Sequence, residues 1–258
     1  MFRSDGWGWR ARLGLLVPQA DTCPESEFRA LAPEGVSIHA TRVPFSPRSS
    51  DGSIPMVGDA LMRAYLEPPR LDDAAALMAS ALVHVVALCF TNTSYLGTIE
   101  DDRRLVERLE RRTNGIPVIT TCLSAVIALR ALGAKRLAIV NPPWIEPAIT
   151  ERAKAYFAGP GFAVAFAGTV DMPRNPSDAQ PGRIYEWARA HIPADADAIF
   201  FGGNGCRSVG AIEAIEQDLG RPVLTANQVL VWHGLRLSRA NVKVDGYGGI
   251  FDRPLPAS

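Results

Sequence analysis

The chain alternates between short apolar, strand-like runs and segments of helical periodicity, and this alternation restricts the fold more than any other feature. The runs are "RLGLLVP" (12–18), "VSIHATRVPF" (36–45), "HVVALCF" (84–90), "PVITT" (117–121), "RLAIVNP" (136–142), "FAVAFAGTV" (162–170), "AIFFGG" (198–203) and "PVLTANQ" (222–228). Most are continuous in apolar character rather than alternating, as strands read when helices cover both faces of their sheet. An α/β protein built on parallel sheets is therefore predicted. Two helical segments, "SAVIALRALG" (124–133) and "AIEAIEQDLG" (211–220), each close on a glycine suited to a left-handed C-cap and lead within a few residues to another strand. That recurrence hints at a duplicated half.

Composition narrows the classes of partner. The 258 residues include 27 basic and 27 acidic side chains, so the net charge is zero and no broad basic surface for nucleic acid or an acidic membrane is expected. The opening "MFRSDGWGWRARLGLLVP" lacks the cleavage pattern of a secretory signal, and no run approaches the roughly eighteen apolar residues of a membrane span. Cys23, Cys89, Cys122 and Cys206 are far apart and form no metal-ligand spacing, which fits reduced thiols in a cytoplasmic protein without a metal. The expected partner is a small neutral or anionic ligand, and self-association stays open.

Three loops at strand ends carry the polar residues that could do chemistry. In "VPQADTCPESEF" (17–28), Asp21 is either the cap of the next helix or a general base facing a ligand. In "FTNTSYLG" (90–97), Thr91, Asn92, Thr93 and Ser94 either cradle a carboxylate or oxyanion, or cap a helix with hydroxyls to spare. In "GGNGCRS" (202–208), glycines permit close backbone approach and Asn204 offers a donor and an acceptor; the spacing is not that of a dinucleotide loop. Cys206 at a helix start would have a lowered pKa and act as a nucleophile or proton-transfer thiol; the competing reading is an inert buried cysteine. His39, His84, His191 and His233 share no spacing, and no Ser-His-Asp set can be assembled. The segment 46–75 is Pro-rich and polar, then helical, and reads as a flap or as a surface connection.

Taken together, "GWRARLGLLVPQADTCPESEFRALAPEGVSIHATRV" (8–43), "VVALCFTNTSYLG" (85–97), "IPVITTCLSAVIALRALGAKRLAIVNP" (116–142) and "GRPVLTANQVLVWHGLRL" (220–237) resemble the aspartate/glutamate racemase superfamily, in its branch of maleate cis-trans isomerases and arylmalonate decarboxylases. The resemblance implies two pseudo-symmetric parallel-sheet half-domains, each an α/β/α sandwich, with the active site in the cleft between them and no cofactor. It divides the chain into 1–116 plus 229–258, with a returning C-terminal helix, and 117–228. It also implies a cysteine at the strand end of each half in racemases and isomerases, and only the second in the decarboxylase. Laid on the motif Gly-Cys-Thr-Ser-Gly-Ser-Phe-Leu-Gly, the stretch Cys89–Gly97 puts Phe90 at the first thiol position and Cys89 one residue early, on the opposite face of a strand. Counting back from "AIEAIEQDLGRPV" puts Gly203 at the second, with Cys206 displaced from it and Arg207 retained. Asp21 stands where relatives often carry a carboxylate-binding Asn, and Trp144 is the nearest aromatic to a usual tyrosine.

The expectation is thus a cofactor-independent enzyme of racemase, isomerase or decarboxylase type, acting next to a carboxylate of a small organic acid by something other than two thiols. Asp21 or Cys206 would move the proton, while Thr22, Thr91, Asn92, Thr93, Asn204, Gly205 and Arg207 would hold the substrate. The alternative is a catalytically altered relative that only binds a small carboxylate.

Overall fold

The computed structural model describes residues 5–45 and 55–256. All eight predicted strands form, as two four-stranded sheets of identical plan. In the first, β1 (Ala11–Pro18), β2 (Val36–Val43), β3 (Val85–Leu88) and β4 (Val118–Thr120) lie in the order β2-β1-β3-β4. In the second, β5 (Arg136–Asn141), β6 (Ala163–Thr169), β7 (Ala198–Phe201) and β8 (Val223–Thr225) lie in the order β6-β5-β7-β8. Every pairing is parallel, so each crossover carries helix. The helices are α1 (Cys23–Leu31), α2 (Asp59–Leu66), α3 (Arg70–Ala79), α4 (Ile99–Arg112), α5 (Thr121–Leu132), α6 (Pro147–Ala158), α7 (Pro181–His191), α8 (Ile212–Leu219) and α9 (Ala226–Leu237). None of the described helices is long and apolar enough to cross a membrane.

Both glycines read as C-caps take the left-handed conformation, Gly133 after α5 at φ 71° and Gly220 after α8 at φ 63°. Two strand readings run too far. Thr121 and Ala226–Gln228 already belong to α5 and α9, and at α9 Thr225 and Gln228 form the capping box that starts the helix. β4 hydrogen-bonds to β3, so the first sheet draws on residues as far as Thr120, beyond the division expected at residue 117. α9 crosses back and packs on β1, β3, β4 and α1 of the first half. It lies so close that a Cβ at Gly234 would stand 3.2 Å from Leu13 Cδ2.

The segment after β2 does more than connect. Residues 46–54 of the segment read as a flap or a surface connection lie outside the described residues, but Val57 pairs with Ile145 in an isolated parallel bridge, its amide donating to Trp144 O at 2.9 Å. The first half thereby reaches over to the loop after β5.

The histidine on α9 serves the fold. His233 is buried against Ser124, Nδ1 to Oγ 2.9 Å, and burial lowers its pKa to about 4. A histidine kept neutral by burial binds fewer protons folded than unfolded, so its contribution is complete above about pH 6.5 and is lost as the pH falls toward 4. Urea unfolding at pH 7 and pH 5 should show this group withdrawing about 2 kcal/mol, a loss absent from His233→Gln; equal pH dependence in both proteins would contradict it.

Candidate functional site

The loops that follow β1, β3, β5 and β7 meet where the two halves face each other, at the carboxyl ends of parallel strands, the usual place for a ligand in such sheets. They enclose a cavity of about 500 Å³. Asp21, Thr22, Phe90, Asn92, Gly203, Asn204, Gly205 and Arg207 line it, as the sequence reading expects, together with Trp144 and with Pro55 and Val57 of the crossing segment. Thr91, Thr93 and Cys206 do not.

The loop after β7 is a tight turn. Gly203 has φ 86°, and Cys206 N donates to Gly203 O at 2.9 Å, closing the turn over Asn204 and Gly205. The amides of the two central residues of such a turn take no part in its own bond. Opposite stands Asp21, whose Oδ1 accepts from Cys23 N at 3.0 Å at the start of α1. Asp21 therefore both caps and faces the cavity, so the two readings of it are compatible. A Cβ at Gly205 would lie 3.0 Å from Asp21 Oδ2, so the carboxylate stands in close contact with the turn.

Asn204 is not the substrate donor and acceptor that its sequence position suggests. Its Oδ1 accepts from Thr91 N (2.8 Å), Thr91 Oγ1 (2.7 Å) and Thr121 Oγ1 (3.2 Å), and its Nδ2 donates to Asn227 Oδ1 at 2.9 Å. Thr91 Oγ1 also accepts from Gly203 N at 3.0 Å. Asn204 Oδ1 and both threonine hydroxyls are thus engaged inside the protein, and Thr91 is fully buried. Thr93 is turned back on its own loop, Oγ1 donating to Phe90 O at 2.8 Å. Asn92, by contrast, reaches the cavity and keeps a buried Oδ1 without a partner. Arg207 is exposed at the rim, with one guanidinium bond to Ala179 O.

Of the four cysteines, Cys23 and Cys89 line the cavity and Cys122 and Cys206 do not. The helix start expected beside Cys206 is not there, since a 3-10 turn begins at Val209 and α8 only at Ile212. Cys206 is 1% exposed, and burial, reinforced by the carboxylates of Glu27 and Asp21, pushes its pKa well up rather than down. Burial raises Cys23, Cys89 and Cys122 in the same direction. Phe90, which the sequence reading sets at the first thiol position, packs edge-on against Phe45 and Tyr65, with ring centroids 5.0 and 4.9 Å away. Cys89 beside it is wholly buried yet also lines the cavity, and because β3 ends at Leu88 the one-residue offset does not turn it to an opposite strand face.

Sequence reasoning misses Glu27. It lines the cavity from α1 while its carboxylate is held by three donors: Ser208 N (2.7 Å) and Val209 N (2.9 Å) on Oε1, and Asn227 Nδ2 (2.7 Å) on Oε2. Burial outweighs these bonds and raises its pKa to about 7. The signal is present in the sequence: Cys23, Glu27 and Leu31 are spaced four apart on the buried stripe of α1, with an acid where an apolar residue belongs.

A family model described as arylmalonate decarboxylase matches residues 13–251. Among curated proteins, a maleate isomerase of Geobacillus stearothermophilus is 23% identical over 252 residues, covering 93% of this chain and 96% of the relative. An arylmalonate decarboxylase of Bordetella bronchiseptica is 27% identical over 178 residues, covering 65% and 71%. Among solved structures, a variant of the maleate isomerase Iso from Pseudomonas putida S16, crystallised with maleate, superposes at a TM-score of 0.80, with 24% identity over 93% of this chain and 97% of that one. This last likeness establishes the fold.

The knot at Asn204 has a measurable weight. Asn204→Ala strands the Thr91 amide and the hydroxyls of Thr91 and Thr121 in the interior, at roughly 1 kcal/mol or more for each. Thermal unfolding should fall by about 10 °C; a shift under a couple of degrees would mean that water replaces the amide without loss.

Proposed function

The chain belongs to the arylmalonate decarboxylase family, and from that premise we propose that it is a cofactor-independent enzyme that moves a proton at the carbon next to a carboxylate of a small organic acid. One observation carries the reading: a carboxylate, Asp21, stands against a turn whose two central amides remain for an oxyanion. When a C–H bond beside a carboxylate breaks, charge moves onto the carboxylate oxygens. Fixed amide donors at that spot stabilise the enediolate more than the ground state. The amides of Asn204 and Gly205 serve as that cradle. Asp21 takes the proton, Arg207 and Thr22 draw the acid in at the rim, and Asn92 lies along the wall.

Two-thiol chemistry is set aside on physical grounds. A thiol must ionise to act as a base, and burial opposes ionisation at every cysteine. On the reading that sets Phe90 and Gly203 at the thiol positions of relatives, neither residue brings an acid or base there. The same two residues favour one competing reading, a relative that binds a small carboxylate without turning it over.

Deuterium uptake separates the two. Incubated in heavy water with a panel of small carboxylic acids, the protein should exchange the hydrogen next to the carboxylate of at least one of them, as followed by NMR. Asp21→Asn should reduce that rate at least a hundredfold, within the range ascribed to a positioned base, and Cys206→Ala should keep most of it. Thermal stabilisation by an acid that undergoes neither exchange nor decarboxylation would select the binder.

A further inference from the structure

A second cavity lies away from the cleft. It runs between α4 and α5 over β4, the edge strand of the first sheet, encloses about 220 Å³, and shares none of its described lining residues with the cleft. Val106 of α4, Ile119 of β4 and Val126 of α5 make its wall apolar, and His233 of α9 lines it too. The volume is below the roughly 300–1,000 Å³ of sites for drug-sized ligands, so the body that fits is a single ring.

Two polar groups on this lining lack partners. His233 is 8% exposed, and its ring is hydrogen-bonded through Nδ1 to Ser124 Oγ, which leaves Nε2 with no partner among the described residues. Burial keeps the ring neutral at pH 7, so Nε2 does not call for an anion. Whether Nε2 donates or accepts depends on the direction of the Ser124 bond, and a hydroxyl can answer either form. The other group is Arg130, exposed at the rim and without a carboxylate partner among the described residues, whereas Arg103 of α4 is already paired with Glu100 at 2.5 Å. Arg130 follows Ser124 by six residues on α5, about 9 Å along the axis, and helical side chains lean back toward the N-terminus. A neutral polar end and a cationic end are thus separated by roughly the length of one ring with a short chain. We propose that this groove is a second ligand site, for a phenolic acid of one ring, with the phenol hydroxyl on His233 Nε2, the ring against the apolar wall and the carboxylate on Arg130.

The test follows the imidazole resonances of His233 by NMR in the intact protein during titration with para-hydroxycinnamate. Binding in the cleft does not enter this readout, because His233 does not line it. The Nε2 signal should shift and saturate; a signal that stays still at tens of millimolar acid overturns the proposal. Cinnamate, which lacks the hydroxyl, should bind at the groove roughly fivefold more weakly or worse, the worth of one hydrogen bond. Equal affinity for the two acids is contrary. Arg130→Ala changes an exposed residue, so the fold is not at stake. This variant should weaken the binding of para-hydroxycinnamate by a similar factor and leave para-propylphenol, which has no carboxylate, as tightly bound as in wild type. Unchanged affinity for the acid, or an equal loss for the phenol, overturns the assignment of Arg130.

Discussion

The geometry of the cleft depends on a single carbonyl oxygen. Asn204 Oδ1 takes three hydrogen bonds, two from Thr91 of the first half and one from Thr121 at the start of α5, and its own amide nitrogen passes the connection to Asn227 and from there to Glu27. The partners are distant in sequence: Thr91 and Asn204 are 113 residues apart, and Glu27 and Asn227 200. In an interior of low dielectric a fully satisfied chain of this kind is rigid, because every donor that lets go loses its partner and finds no water. The turn at 203–206 inherits that rigidity. A site that stabilises developing charge by fixed amides needs donors that do not have to reorganise when the charge appears.

The same reasoning applies to the buried acids. Asp102 on α4 accepts from Ser94, Thr120 and Tyr156, tying the loop after β3 to the end of β4 and to α6 of the second half. Burial raises its pKa, as it does that of Glu27, and three donors offset part of the cost in each case. Each of the two acids crosses from one half to the other. The halves are thus held together by polar bridges set within an apolar contact, which fixes their register as well as their proximity.

Much of this was legible in the chain before folding. Apolar runs marked the eight strands, because a strand covered on both faces has no alternative composition, and Gly133 and Gly220 marked helix ends because few other residues accept their φ. The strand-end loops pointed to Asp21, Asn92 and Gly205, and all three line the cleft. Roles were harder to read than places. Asn204 looks like a ligand contact because an amide in a glycine loop offers both a donor and an acceptor; what consumes it comes from Thr91, Thr121 and Asn227, which local sequence does not bring together. Cys206 looks reactive only if a helix starts beside it, and the extra turn before α8 removes that condition. Glu27 hides among the neighbouring acids and serines of "CPESEF", its burial set by amides 181 and 182 residues away.

The return of α9 to the first sheet has a consequence for how such a chain comes into being. β1, β3 and β4 are complete by Thr120, yet the helix that lies across them spans Ala226–Leu237. During synthesis the N-terminal half therefore emerges with an uncovered apolar face and waits for roughly a hundred further residues, at the usual pace several seconds or more. The duplicated plan repeats its strand order in space but does not yield two sequentially independent folding units. The first half to be made is the last to be finished, and its closure is the step that also delivers Asn227 to Glu27 and Asn204.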